Sequence, residues 1–469
     1  MKVAIVGAGP GGMAAADVLA AHGAAVTVID EGREAGGQIY RRARAGLKLD
    51  VDALMGVEAA NYRSFHATFG RLQGHIDYRP QTLVWNIEAK RLRTISAGIA
   101  DSVMFDALIL ATGATDRILP IPGWTLPGVF TLGGAQVLLK EHGCLIGRRV
   151  VVCGSSPLLY LAAKQYRAMG AEIVAVLDTT SFAAKIRAAP ELLAAPQTFL
   201  RGLGYMNALR GAGVPVHHGV KLVAFEGSNG VDGIRFRGHD QGEHVVACDA
   251  IAYGFGLKPE TQLADLAGVE FRYDATFRQW LPHADRDGRC GSGVYVAGDG
   301  ATIGGAHVAA LTGKLAACAV LDDFKIAVSG VARVARVAMR RDVARLRRFQ
   351  RGLARAFAWP ATAIHDLDDR IIVCRCESIT AGELRAAIRA EFGPTEVNRL
   401  KAITRCGMGR CQGRFCGLPG AELIAHALNV PLEAVGRLRG QAPVKPIPLA
   451  ISPAGNAVVA ARDETSAPA

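Results

Sequence analysis

The sequence predicts an α/β protein with two Rossmann-like dinucleotide-binding domains, followed by a small, mainly helical, cysteine-bearing unit. Three observations predict it. A buried strand, glycine turn, helix and second strand open the chain at Lys2, and the same plan recurs at Arg149. Strands alternate with helices in both copies, as parallel sheets with crossover helices require. Five of the ten cysteines crowd between Cys374 and Cys416, beyond both copies. A length of 469 residues is room for about three domains.

In chain order, Lys2 to Val6 reads as a buried strand, followed by a glycine turn, a helix through Ala21 and a strand from Ala25 to Ile29. Alternating stretches at Thr82–Ile87 and Arg91–Ile95 predict a small antiparallel meander. Asp106 to Gly113 is a buried strand ending in a tight turn, and Pro120-Ile-Pro-Gly-Trp124 marks the crossing to the second unit. There Arg149–Cys153, Gly154–Leu158, Leu159–Met169 and Glu172–Leu177 repeat strand, turn, helix and strand, and Ala250–Gly256 closes the unit. Val294-Tyr-Val-Ala-Gly-Asp299 then returns the chain to the first unit. The expected division is 1–118 with 259–325 as one discontinuous domain, 119–258 as the second, 326–364 as an Arg-rich helical linker, 365–440 as the cysteine unit and 441–469 as an extended tail.

Half of the residues are hydrophobic, so sizeable cores are available. No run of eighteen apolar residues occurs, which excludes a membrane-spanning helix as the sequence reads. The apolar start lacks a small-residue cleavage site and its glycines fall where a nucleotide turn needs them; we read it as mature structure in a cytoplasmic protein. A reducing compartment argues against a disulfide framework and for a metal site in the cysteine cluster. The net charge is +12, and nine arginines lie between Arg333 and Arg355. Met339, Val343, Leu346, Leu353 and Phe357, with Phe349 alongside, form an apolar stripe at helical spacing through that stretch. The pattern favours a solvated or partner-facing helix over a nucleic-acid surface.

Gly7-Ala-Gly9-Pro-Gly-Gly12 directly follows a strand and opens a helix. Gly7 permits the tight turn, Gly9 lets the backbone approach a pyrophosphate, and Gly12 lets helix and strand pack closely. Pro10 begins the helix, whose N-terminus carries partial positive charge for the phosphates. Asp30 ends the second strand, with seventeen residues between it and Gly12, where an acid accepts adenosine ribose hydroxyls. With Gly36-Gly37-Gln38, the Ala111-Thr112-Gly113 turn and the downstream Gly298-Asp299, the arrangement resembles that of two-dinucleotide-domain flavoproteins, and the resemblance implies FAD rather than NAD.

The second turn reads Gly154-Ser155-Ser156-Pro157-Leu158-Leu159. Ser156 and Leu159 stand where the second and third glycines belong. A side chain at Ser156 intrudes on the pyrophosphate, and Leu159 pushes helix from strand. Asp178 survives as a ribose-binding acid. Efficient use of NAD(P)H is therefore not expected, and no C-x-x-C occurs, which argues against disulfide-reductase activity.

In the cysteine unit, Cys374-Arg-Cys376 ends a strand-like stretch, and Cys411-Gln-Gly-Arg-Phe-Cys416 follows after 34 intervening residues. Four soft thiolates suit zinc or an iron–sulfur cluster. Glycines around Cys411 allow a loop to wrap the group with its N–H groups turned toward sulfur. Glu383–Ala390 and Pro419–Leu428 read as short helices beside it. The unit resembles the bacterioferritin-associated-ferredoxin type of [2Fe–2S] domain, with C-x4-C in place of that type's usual C-x2-C. Cys374, Cys376, Cys411 and Cys416 are the expected ligands, Cys406 an alternate one, and structural zinc the other reading.

Over Met1 to about Pro448 the chain resembles the FAD-binding A or alpha subunits of heteromeric bacterial dehydrogenases, a family that includes opine oxidase, hydrogen cyanide synthase and D-hydroxyproline dehydrogenase. The resemblance rests on Ile29-Asp-Glu-Gly-Arg-Glu-Ala-Gly-Gly-Gln-Ile-Tyr40, Pro120 to Gly128, Cys374-Arg-Cys-Glu377 and Thr404 to Arg414. It implies FAD held by Gly7, Gly9, Pro10, Gly12, Asp30, Glu31, Gly37, Gln38, Thr112, Gly113, Gly298 and Asp299. It also implies an electron-transfer role, with C–N bond oxidation in a partner similar to amino-acid oxidases, and leaves room for a small ferredoxin-like subunit. Contact with a membrane would be peripheral. No catalytic acid–base set is recognisable in this chain. The rival expectation is a stand-alone NAD(P)H-dependent iron–sulfur flavoprotein reductase, and a third is a non-catalytic scaffold.

Overall fold

The computed structural model describes residues 1–238, 240–327 and 330–453; the end of the expected tail, 454–469, lies outside the described residues. A six-stranded sheet carries the first unit, in the order Arg289–Gly291, Val294–Val296, Ala107–Leu110, Lys2–Val6, Ala25–Ile29 and Asp77–Arg79. Its pairs are parallel except the edge pair Arg289–Gly291 with Val294–Val296. Val294–Val296 is thus inserted beside Ala107–Leu110 although some 180 residues separate them in sequence, so the sheet is built from two separated stretches of chain.

The second unit has a five-stranded parallel sheet: Val216–His218, Glu172–Asp178, Arg149–Gly154, Ala250–Gly254 and Val129–Thr131. Two short antiparallel strands, Ala114–Asp116 and Leu257–Pro259, carry the chain out to this unit and back. The expected meander has three strands, Leu83–Glu88, Arg91–Ser96 and Ile99–Met104, and Ser452–Pro453 pairs with its edge. The described part of the tail therefore runs back across the first unit.

The central strands of both sheets are apolar throughout because both faces are covered. Helices lie on one face of each sheet, and the meander lies on the other face of the first. The strands Lys221–Glu226 and Gly233–Arg237, with the cysteine unit, lie on the other face of the second. Ile5, Ile109, Val151, Val152 and Ile251 are fully buried. The Arg-rich stretch forms a single helix, Gly330–Ala356. Its Val343, Leu346 and Phe349 pack on Leu192, Ala195 and Val308, so the apolar stripe faces the protein, as an amphipathic helix requires. Arg336 and Arg340 both pair with the buried Asp287.

The cysteine unit contains helices Ala381–Arg389, Val397–Thr404 and Gly417–Ala427. Thr380 and Glu383 form a reciprocal capping box at the first of these. The middle helix goes beyond the two that the sequence predicts: its stretch is short and weakly periodic, and Glu396 caps it by accepting from the Asn398 N–H at 2.9 Å and from that of Arg399. Phe225, Tyr253 and Trp359 share one continuous core with Val373, Leu384 and Ile424. The cysteine unit is thereby packed onto the second unit. Among the described residues no helix is long and apolar enough to cross a membrane.

Candidate functional site

The first turn has the stereochemistry its glycines predict. Gly7 sits at φ +106°, and a side chain there would overlap the Ala111 carbonyl; one at Gly12 would overlap the carbonyl of Gly7. Gly9 is different, since its nearest neighbour to an added Cβ is the Cα of Gly37 at 3.6 Å. Its smoothness serves the space beside the turn. The helix Pro10–Ala21 starts with Pro10 and has no side-chain cap, so its leading N–H groups are left for a ligand.

Asp30 accepts from the Ala8 N–H at 2.5 Å and from the Gly32 N–H at 2.6 Å. Burial raises its carboxyl above the usual value, and those two N–H groups work against the rise. Glu31 stands exposed beside it and pairs with Lys445 of the tail. The Gly36 N–H donates to the Ala8 carbonyl at 3.0 Å, which brings the paired glycines to the turn, and Gln38 follows exposed.

Gly298 and Asp299 follow the strand Val294–Val296, the late-arriving strand of the first sheet. The backbone of Gly298 lies against Gly11, and Asp299 accepts from the Gly304 and Gly305 N–H groups at 2.8 and 2.9 Å. Burial raises its carboxyl, and these N–H groups oppose the rise. Thr112 donates through Oγ1 to the Glu260 carbonyl at 2.5 Å, and the Glu260 N–H donates to the Gly113 carbonyl at 2.9 Å. An uncapped helix start, a glycine-faced cradle and a ribose-side acid converge, and this donor set fits the pyrophosphate and ribose of FAD.

The second turn is closed. Gly154 keeps its positive φ, but Ser155, Ser156 and Leu159 are all buried. Ser155 Oγ donates to the Ala358 carbonyl at 3.1 Å, so the segment leaving the Arg-rich helix lies on the turn itself. Trp359 packs edge-on against Phe255, and the Arg117 guanidinium stacks over the same indole. Asp178, the surviving acid, has no exposed surface. It accepts from the Tyr160 hydroxyl, the Thr180 N–H and hydroxyl, and Lys185 Nζ at 2.5 Å. Burial alone would raise its carboxyl; His218, Lys185 and Thr180 outweigh that and hold it below the usual value. Its acceptor capacity is thus spent within the protein.

The cysteine loop is shaped by its backbone. Arg405 ends the helix Val397–Thr404 in the left-handed region at φ +65°, and Gly407 and Gly413 follow at φ +96° and +77°. Leu438 fills the space that side chains at those glycines would need. Cys374, Cys406 and Cys416 are buried with Sγ atoms within 4.8 Å of one another. Hydrogen bonds from the Cys406 and Cys416 thiols, then the N–H groups of Gly407 and Glu377, hold the Cys374 thiol far below its usual value. Cys411 contacts both Cys416 and Cys376 and receives the Phe415 and Gly413 N–H groups. Cys376 is exposed. A buried pocket of thiols wrapped by backbone N–H donors fits a [2Fe–2S] cluster.

A strap that no sequence motif marks joins the two sites. Glu260, whose backbone grips Thr112 and Gly113, accepts through its carboxylate from Arg414 at 2.6 and 3.0 Å. Gln262 Nε2 donates to the Gln412 carbonyl at 2.7 Å. Lys258 lines the cavity beside this strap, and its enclosure pushes its ammonium down to about 8. Lys140, buried in the helix Leu132–His142, points at the carbonyls of Gln38 and Ile39, and burial pushes it down to about 8. Arg414 falls in a stretch that carries the family resemblance, but nothing in local sequence marks Lys140, Lys258 or Glu260.

Comparison with known proteins agrees with this geometry. Residues 1–313 match the family described as pyridine nucleotide-disulphide oxidoreductase, and residues 372–426 match the BFD-like [2Fe–2S] binding domain. The A subunit of opine oxidase from Agrobacterium tumefaciens (strain Ach5) is 37% identical, with 95% of this chain and 90% of that protein covered. Hydrogen cyanide synthase subunit HcnB of Pseudomonas aeruginosa is 31% identical, covering 96% and 97%. The structure of L-proline dehydrogenase from P. horikoshii superposes with a TM-score of 0.69 at 19% identity, over 96% of this chain and 78% of that one, a likeness of fold. The chain therefore belongs, with HcnB and the A subunit of opine oxidase, to the pyridine nucleotide-disulphide oxidoreductase family, as a FAD-dependent oxidoreductase that carries a C-terminal BFD-like [2Fe–2S] domain.

Proposed function

We propose that this chain is the electron-transfer subunit of a heteromeric dehydrogenase that oxidises a C–N bond of an amino acid, imino acid or opine. The bond is broken in a partner protein similar to amino-acid oxidases, and a small ferredoxin-like subunit completes the assembly. The observation that carries the reading is the closure of the second nucleotide turn by the Ala358 segment, whose carbonyl takes the Ser155 hydroxyl while Trp359 packs on Phe255 beside it. Hydride from NAD(P)H has no seat there, while the flavin cradle and the cysteine loop are tied together through Glu260. The subunit names of the relatives support a heteromeric assembly.

Within the chain, Gly7, Gly9, Pro10 and Gly12 would line the FAD pyrophosphate with backbone, and Asp30 would accept from its ribose. Glu31, Gly37, Gln38, Thr112, Gly113, Gly298 and Asp299 would border the rest. Cys374, Cys376, Cys411 and Cys416 would hold the cluster. When bound, the cluster carries electrons singly and FAD exchanges one or two, which links a two-electron oxidation to a one-electron carrier. Glu260 and Arg414 fix the distance between the two sites, and Leu438 keeps the cysteine loop closed. Cytoplasmic placement, with the partners at the inner face of the membrane, completes the proposal.

The test is anaerobic reduction of the holoprotein. NADH or NADPH should leave the flavin absorbance unchanged over minutes, whereas reconstitution with an amino-acid-oxidase-like partner subunit and an opine or proline-type substrate should bleach flavin and cluster together. Rapid bleaching by NADH alone would establish the stand-alone reductase instead.

A further inference from the structure

Five thiols, one more than a [2Fe–2S] cluster needs, converge between the strand Ile372–Cys374 and the helix Gly417–Ala427. Cys376 and Cys411 contact each other at the exposed side. At the buried side, Cys374 meets both Cys406 and Cys416, and the three sulfurs lie within 4.8 Å of one another. Cys416 also touches Cys411, so it stands between the two sides, while Cys406 reaches only the buried corner, where three sulfurs meet for two places.

Cys374 is held in place by the N–H groups of Gly407 and Glu377. The choice therefore falls between Cys406 and Cys416. Different elements deliver them. Cys406 follows the left-handed Arg405 at the end of the helix Val397–Thr404, with its N–H donated to Thr404 Oγ1 at 3.2 Å. Cys416 stands at the start of the helix Gly417–Ala427. Each sulfur reaches the same corner on its own support, so neither helix has to move for the other thiol to bind.

We propose that Cys406 and Cys416 are interchangeable ligands, so that the cluster is held by Cys374, Cys376, Cys411 and either of the two. This rests on the [2Fe–2S] reading, which iron and sulfide analysis of the unaltered protein tests separately. The exchange replaces one thiolate by another at a single iron. The arriving thiol gives its proton to the departing thiolate, and the oxidation state of iron does not change.

The full-length chain, reconstituted anaerobically with iron and sulfide, is the sample. Visible circular dichroism and the EPR spectrum of the reduced cluster distinguish four-thiolate from mixed oxygen ligation. Cys416→Ser and Cys406→Ser should each keep the four-thiolate signature, and the double variant should lose it. Cys376→Ser should lose it alone, because the spare thiol lies on the other side. A Cys416→Ser protein with serine-ligated or absent cluster overturns the proposal, as does a Cys406→Ser protein in that condition. Retention in Cys376→Ser also overturns it. Cys416→Ala, with flavin content and melting temperature as folding controls, excludes coordination by the introduced serine and keeps the outcome readable.

Discussion

Gly9 and Gly12 look alike in the sequence and are held by different forces. A side chain at Gly12 would overlap the Gly7 carbonyl, so that glycine serves the packing of helix on strand. An added Cβ at Gly9 finds ordinary contact at 3.6 Å, and its φ of −78° is open to any residue. Gly9→Val should therefore fold, with a far-UV spectrum and apo melting temperature close to those of the unaltered chain. Its FAD affinity should fall by at least about tenfold, roughly 1.4 kcal/mol, because the side chain stands where the pyrophosphate approaches. Flavin content after dialysis against limiting FAD is the measurement, and full retention would remove Gly9 from the site. Asp178 shows the opposite lesson. It has the type and position of a ribose ligand, yet Tyr160, Thr180 and Lys185 consume its lone pairs, and only its neighbours reveal this.

At the scale of elements, the strap from Leu257 to Gln262 does what no single motif does. Its strand Leu257–Pro259 pairs with Ala114–Asp116, its Glu260 backbone holds the Thr112–Gly113 turn, and its carboxylate holds Arg414 of the cysteine loop. The bidentate, partly buried pair is the kind that fixes geometry as well as contributing energy. Glu260→Gln keeps the backbone contacts and loses the charge. It should leave flavin and iron content unchanged and slow electron exchange between cluster and flavin by about tenfold, through loosened positioning. Stopped-flow reduction followed at flavin and cluster wavelengths reads this, and an unchanged rate would make the strap merely structural. The Arg-rich helix is the contrasting element. Its composition invites a nucleic-acid reading, but Val343, Leu346 and Phe349 bind it to the protein, and two of its arginines are taken by Asp287.

For the whole molecule, the cysteine unit and the second unit share a core that includes Trp359, Tyr253, Val373, Leu384 and Ile424. Trp124 adds a hydrogen bond from Nε1 to the Ile372 carbonyl at 2.7 Å, in the strand that ends at Cys374. Units that bury apolar surface against each other unfold together. On heating, loss of cluster absorbance and the emission shift of the buried tryptophans Trp124 and Trp359 should therefore coincide. A cluster lost well before the tryptophan transition would show that the unit melts independently. The same shared core explains the closed second turn: the linker that delivers the cysteine unit has to cross it.

The strand–turn–helix units, the glycines of the first turn, the loss of glycines in the second and the cysteine cluster are legible in the sequence because each is written in contiguous residues with a fixed period or spacing. The helix Val397–Thr404 is not, because eight residues with a modest apolar face owe their form to a Glu396 cap and to packing. Glu260, Lys258 and Lys140 are not, since the partners that give them meaning lie far away in the chain and only chain reversal through paired strands brings them together. The sequence by itself determined the kinds of site, since backbone conformation and thiol spacing are local properties. The tertiary structure decided which site stays open, which is sealed by Ala358 and Trp359, and how many sulfurs meet at the buried corner, because those depend on close packing between distant segments.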